Sequence, residues 1–263
     1  MLRGFEVKTL AIIKLASCSG CLNQVVRALA SEEKLLNFYN IVLFDEITER
    51  LEMPKKIDLL LIEGSTVTRE QEEVVKKFRE ISDFVVAMGT CAVQGGVQAL
   101  RIGDDVEKVK AYVYPNPEHI DVNKDVKPVD NVISVDMFIP GCPVNHEAIA
   151  SLLKKFVSEG LPIAIPESVC SECKRKGIVC VMVAYGIPCL GPITISGCGA
   201  ICPSFGRGCY GCFGLKDFDL DNSKLKMFAQ QLKDLGMDND RFEQTVKAYS
   251  WKTWSKYQNV YHR

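Results

Sequence analysis

Short apolar runs alternate with helix-period stretches through the first 160 residues. Residues 7–16 (VKTLAIIKLA) are rich in apolar and β-branched side chains and predict a buried strand. Residues 21–31 then place Leu22, Val25, Val26 and Leu29 at helical spacing. Residues 40–45 and 57–62 (IDLLLI) predict two further strands. Thr68 opens a T-x-x-Q pattern with Gln71, a helix start that VVKKFREI continues. FVVAMG at 84–89 and VISVDMFI at 132–139 predict strands. Residues 144–159 predict an amphipathic helix with Ile149, Leu152, Leu153, Phe156 and Val157 inward, stopped by Gly160 and Pro162. Strands alternating with helices imply a parallel sheet covered on both faces, an α/β class. Residues 103–130 are polar and proline-bearing and predict a long surface excursion.

After Pro166 the pattern changes. Residues 168–216 hold eight cysteines and many Gly and Pro, and only VCVMVAYGI at 179–187 forms an apolar run. Such a segment cannot fold on apolar burial alone and asks for ligand bonds as staples. From residue 222 a helical period returns with Leu225, Phe228, Leu232 and Leu235, and Gly236 marks its end. A last helix carries Phe242, Val246, Tyr249, Trp251, Trp254 and Tyr257. The expected division is residues 1–165 and 166–263.

The chain has 263 residues, 47% of them hydrophobic, which is enough for a real core. A net charge of −1 gives no strong field toward nucleic acid or an anionic membrane. No apolar run reaches the ~18–20 residues of a membrane span. The first residues, MLRGFEVKTLAIIKLASC, lack a signal-peptide pattern, and no twin-arginine motif precedes them, so the cytoplasm is the expected location.

The cysteines alter this plain picture. There are twelve, at Cys18, Cys21, Cys91, Cys142, Cys170, Cys173, Cys180, Cys189, Cys198, Cys202, Cys209 and Cys212. In a reducing compartment many cysteines point to metal before disulfide. Twelve makes three sets of four, and four thiolates are what a cubane iron–sulfur cluster requires. The three histidines, His119, His146 and His262, lie away from the cysteine pairs. His119 and His146 read as surface or capping residues.

Cys18 and Cys21 follow the first strand in S-C-S-G-C, Cys91 follows FVVAMG, and Cys142 follows VISVDMFI in P-G-C-P. All four therefore fall at the carboxyl edge of the predicted sheet, where open α/β sheets bind ligands. Glu63 in L-I-E-G-S ends the third strand and should face the same crevice, either capping a helix or serving proton transfer or cluster tuning. The helix start near Cys21 offers N–H groups to an anionic ligand. Gly20, Gly89 and Gly141 permit close backbone approach.

The other eight follow one another as C170-x2-C173-x6-C180-x8-C189 and C198-x3-C202-x6-C209-x2-C212. Spacing alone does not fix their grouping, because clusters can interleave ligands. Zinc is the main rival, since paired C-x2-C units suit a zinc ribbon. A ribbon would use four of the eight and leave four thiols, and the Gly/Pro-rich, largely uncharged surroundings suit shielded clusters.

S-C-S-G-C, L-I-E-G, M-G-T-C and P-G-C-P, followed by C-L-G-P (189–192), S-G-C (196–198) and G-C-Y-G-C (208–212), resemble the motifs of nickel–iron hydrogenase small subunits. The resemblance implies a flavodoxin-like N-terminal domain with a proximal cluster on Cys18, Cys21, Cys91 and Cys142. It implies an irregular, helix-containing C-terminal domain with a distal cluster on Cys170, Cys173, Cys180 and Cys189. The medial cluster would sit on Cys198, Cys202, Cys209 and Cys212. Many members have a distal histidine where Cys170 stands, and a three-cysteine medial site where Cys202 here adds a fourth ligand. Three 4Fe-4S clusters are thus implied. The glutamate that many members place before the first cysteine is Ser17 here. These departures look like the cytoplasmic, multimeric branch, most similar to archaeal sulfhydrogenases. That branch pairs a nickel–iron large subunit with such a chain, a further iron–sulfur subunit and an FAD subunit using NAD(P)(H). Trp251 and Trp254 could anchor a partner or pack within their own helix. A complex I-like or membrane-bound hydrogenase subunit and a zinc- or disulfide-stapled structural protein are the alternative classes.

Overall fold

The computed structural model describes residues 7–49, 53–162 and 167–260. Five strands form one parallel sheet: β1 (Lys8–Lys14), β2 (Tyr39–Phe44), β3 (Ile57–Glu63), β4 (Ser82–Met88) and β5 (Met137–Ile139), in the order β2-β1-β3-β4-β5. This is the flavodoxin-like order, whose ligand crevice lies beyond the strand carboxyl ends.

The apolar runs are continuous because both faces of the sheet are covered. Leu10, Ile12, Leu59, Leu61, Val86 and Met88 pack on one side against α1 (Gly20–Ser31) and α5 (His146–Val157), through Val25, Leu29, Ile149 and Leu152. Ala11, Ile13, Leu60, Ile62, Val85 and Ala87 pack on the other side with Val75 and Phe78 of α2 (Arg69–Glu80). The alternation follows the two-residue period of a strand. The T-x-x-Q expectation is met: Thr68 Oγ1 accepts from Gln71 N–H at 3.2 Å, and Gln71 Oε1 accepts from Val67 N–H at 2.8 Å.

One expectation needs correction, and one gains detail. The strand predicted over 132–139 narrows to Met137–Ile139, because Asp136 uses its side chain to take the Val85 N–H at 2.8 Å and Arg79 binds Ser134 and Asp136. The excursion at 103–130 contains α4 (Val106–Val113), capped by Asp105 and burying none of its residues, after the short α3 (Gly89–Gln94).

Beyond residue 167 the chain carries three short helices where no helical period stood out: α6 (Val169–Arg175), α7 (Val181–Tyr185) and α8 (Ile201–Ser204). Their small core joins Val169, Val181 and Ala200 to the thiols of Cys189 and Cys209. Next come α9 (Asn222–Asp234) and α10 (Asn239–Trp254), close to the predicted pair. Trp254 is buried in a separate core with Leu225, Leu232 and Val246, edge-on to Phe242 at 6.0 Å, so it packs within its own region and is no partner anchor. Trp251 is half-buried beside Lys247. Among the described residues no helix is long and apolar enough to cross a membrane.

Candidate metal centres

The carboxyl edge of the sheet brings the first four cysteines together. Cys18 and Cys21 lie between β1 and the first turn of α1, Cys91 lies in α3 just after β4, and Cys142 follows β5. The backbone is shaped to admit the sulfurs. A Cβ on Gly89 (φ +87) would lie 2.5 Å from Cys21 Sγ, and one on Gly96 (φ +69) 2.5 Å from Cys91 Sγ. Both need glycine for conformation as well as for space.

Glu63 is buried at the end of β3. Its carboxylate accepts from Cys21 N–H at 3.2 Å and Leu22 N–H at 2.8 Å. The N-cap of α1, Ser19, is left-handed and makes no side-chain cap, so Glu63 caps this helix from a neighbouring strand. Burial raises its pKa, opposed by these two N–H groups.

Burial and neighbouring negative charge make isolated thiolates costly here. Cys21 is raised far above the ordinary thiol range by burial, then by Glu63, Cys91 and Cys142. Burial pushes Cys91 up to about 11, with Cys142 and Cys18 adding to it. Cys142, exposed as a residue, is raised by the partial desolvation of its sulfur and by Cys18. The mutual influence shows that the four thiols are near one another at this edge.

The other eight, expected as two sets of four, lie beyond this edge in the stretch from α6 to Cys212. Cys170 feels Cys189 and Cys180 after burial, and Cys173 is pushed to about 11 by burial, then by Cys170, Cys189 and Cys180. Cys212 is pushed to about 12 by burial, then by Cys198, Cys142 and Cys202. Cys209, at about 12 through burial, feels Cys189 and Cys212. Cys209 N–H donates to Cys189 Sγ at 3.1 Å. Neighbouring thiols link these sets: Cys212 lies near Cys142 at the sheet edge, and Cys209 and Cys198 lie near Cys189 and Cys173. A cavity of about 590 Å³ lined by Cys142, Cys198, Cys212, Arg27, Lys176 and Phe213 opens between the first two groups.

All twelve cysteines are free thiols. Among the described residues no three His, Cys, Asp or Glu side chains converge on one ion-sized point. A four-iron cluster asks for a thiolate on each of four irons, and the all-cysteine donor chemistry fits it. His119 is exposed beside Glu118, His146 opens α5, and His262 lies outside the described residues. Ser17 is half-buried just before Cys18.

Sequence reasoning missed two polar links. Thr90, next to Cys91, donates through Oγ1 to the Cys212 carbonyl at 2.7 Å, joining the first two groups. Gln98 donates through Nε2 to the Ala16 carbonyl at 2.6 Å, and its Oε1 accepts from Cys91 Sγ at 3.5 Å. Nothing in a lone Thr or Gln signals such a partner before the loops meet.

A flavodoxin-like sheet with cysteines from three loops at its carboxyl edge, continued by a cysteine-rich stretch, defines a class of redox subunit. Residues 18–156 match the family described as NADH ubiquinone oxidoreductase, 20 Kd subunit, and the chain belongs to this family. Among its relatives is the sulfhydrogenase 2 subunit delta of Pyrococcus furiosus, 35% identical over 88% of this chain and 94% of the relative. A NAD+-reducing NiFe-hydrogenase structure in the H2-reduced state is 25% identical, with a TM-score of 0.54 over 59% of this chain and 94% of that one. The NiFeSe-hydrogenase of Desulfomicrobium baculatum, at 16% identity, shares the fold with a TM-score of 0.55 over 81% of this chain and 96% of that one. The chain is a small subunit of the hydrogenase family and thus part of an oxidoreductase.

Proposed function

We propose that this chain is the electron-transfer subunit of a cytoplasmic nickel–iron hydrogenase of the sulfhydrogenase type, and that it holds three 4Fe-4S clusters. The proximal site is Cys18, Cys21, Cys91 and Cys142. The medial site is Cys198, Cys202, Cys209 and Cys212, and the distal site is Cys170, Cys173, Cys180 and Cys189. The observation that carries this reading is the succession of thiol groups, linked at Cys142/Cys212 and at Cys209/Cys189. Residues 1–165 form the proximal-site domain and 166–263 the domain of the other two.

When bound, such clusters supply one-electron storage and transfer at potentials set by ligands, hydrogen bonds and burial. The chain's own residues fix the sites. Glu63 holds the Cys21 and Leu22 amides and thereby the start of α1, and its buried carboxylate tunes the proximal site. Thr90 fixes the separation of the proximal and medial sites by holding the Cys212 carbonyl. Gln98 ties the Cys91 turn to the strand that precedes Cys18.

A nickel–iron large subunit docks against the sheet edge, where Cys18 and Cys142 are exposed. A further iron–sulfur subunit and an FAD subunit using NAD(P)(H) complete the assembly beyond the distal site, where Cys180 is exposed. The matched family also describes a subunit of NADH ubiquinone oxidoreductase, which favours a complex I-like alternative. The eight cysteines after residue 169 and the hydrogenase relative covering 88% of the chain support the hydrogenase reading. The test is affinity purification of the tagged chain from its own cells under anaerobic conditions. A stoichiometric nickel-containing partner with hydrogen-dependent dye reduction is expected. Recovery with quinone-reductase subunits and no nickel would overturn the reading.

A further inference from the structure

Helix α6 carries Cys170 and Cys173, yet one of the two residues between them, Glu172, reaches the loop of Cys198. Glu172 Oε1 accepts from Gly197 N–H at 2.9 Å and Gly199 N–H at 3.1 Å. Its Oε2 accepts from Ala200 N–H at 3.1 Å and lies 3.7 Å from Cys198 Sγ. Lys176, a turn later, donates to the Gly199 carbonyl at 2.5 Å. One short helix thus grips both the amide and the carbonyl side of the loop that presents Cys198.

The loop is shaped for this grip. Gly197 (φ +128), Gly199 (φ +67) and Ala200 (φ +51) all have positive φ, and Ala200 does so without glycine's freedom. Backbone in this region turns neighbouring N–H groups toward one point and makes an anion-binding concavity. Here a carboxylate fills the concavity with three charge-assisted hydrogen bonds. It also sets a negative charge beside the Cys198 sulfur.

We infer that Glu172, carried by the helix of the distal thiols, is the positioning residue of the medial site, holding the Cys198 loop and contributing the negative charge beside it. The inference rests on the reading that both thiol groups hold clusters. Negative charge next to a cluster lowers its potential, and N–H groups released toward its sulfurs raise it. Removing the charge in Glu172→Gln should therefore move the medial potential upward on both grounds. Glu172→Ala also strands three N–H donors and frees the loop.

The experiment uses the intact complex, purified anaerobically, as wild type, E172Q, E172A and C198S. Iron and sulfide are counted, and reduced-cluster EPR signals are followed in a redox titration. The signal lost in C198S identifies the medial site. In E172Q, iron is expected to match wild type while the medial signal alone shifts to more positive potential. In E172A about one third of this chain's iron, the partner subunits' share subtracted, should be lost, one cluster of three. Full iron with all potentials unmoved in E172Q would overturn the inference, as would an equal loss of iron from all sites. Should E172A fail to fold, E172Q alone decides. A wild-type complex without iron would instead overturn the cluster reading itself, and the inference with it.

Discussion

The sheet region and the cysteine-rich stretch bury their interiors in different materials. Between β1 and β4 both faces are hydrocarbon: Ile12, Leu59 and Leu61 on one side, Ile13, Leu60 and Phe78 on the other, all almost wholly removed from water. Each such side chain contributes about 1.5–3 kcal/mol. In the stretch from α6 to Cys212 one small core is Val169, Val181 and Ala200 with Cys189 and Cys209 among them, while Leu190 and Ile193 pack into the apolar core of α9 and α10. The first region can hold its four thiols at an edge because the fold is already secured elsewhere. The second buries Cys189 and Cys209 in its small core, so metal bound there would contribute folding energy.

The strongest way to break this comparison is to remove the metal. Chelation of the anaerobic complex should release amide protection across residues 169–212 while β1, β3 and β4 stay protected. Hydrogen exchange by mass spectrometry reads both at once. Equal loss in the two regions would erase the distinction. A core truncation probes the opposite side. Phe78→Ala should cost about 3–5 kcal/mol in denaturant unfolding of the sheet region. The folded fraction should keep its full iron, because Phe78 lies on the α2 face, away from the thiols.

Ligand chemistry sharpens the contrast without disturbing either core. Cys170→His replaces a thiolate by a neutral ligand at the distal site, so that potential should rise in an EPR redox titration. No shift would show that ligand charge does not set it. The smallest effect belongs to the C-terminal helices. Lys256 and Tyr257 hold the Asp217 carboxyl below its usual pKa, the lysine bond contributing most. A carboxylate with a depressed folded pKa stabilises above its unfolded value of about 3.9, and that stability disappears as pH falls through the folded value. Asp217→Asn should therefore cost at most about 1 kcal/mol at neutral pH, given the exposure of the pair, and nothing in strong acid.

What could be read from the residues follows the same divide. The run IDLLLI reads as a strand because burial on both faces leaves an unbroken apolar stretch, and β3 forms there. The segment 132–136 misled because Val132, Ile133 and Val135 look like strand while Ser134 and Asp136 bond sideways to Arg79 and β4. Helix α6 was illegible because V-C-S-E-C-K-R buries only Val169 and has no apolar period to display. The sheet-edge thiols were legible as a group because each follows a strand. The polar residues that tie the groups together, Thr90, Gln98 and Glu172, were not, because their partners lie 122, 82 and 25–28 residues away.

The central claim is that three groups of four thiols hold three iron clusters in one line. Metal and sulfide analysis of the anaerobically purified complex, with the partner subunits' share subtracted and EPR of the reduced state, tests it most directly. About twelve irons and matching sulfide on this chain, three four-iron clusters' worth, with magnetically interacting signals, is the predicted result. Zinc in place of iron, or about four irons confined to the sheet-edge site, would contradict it.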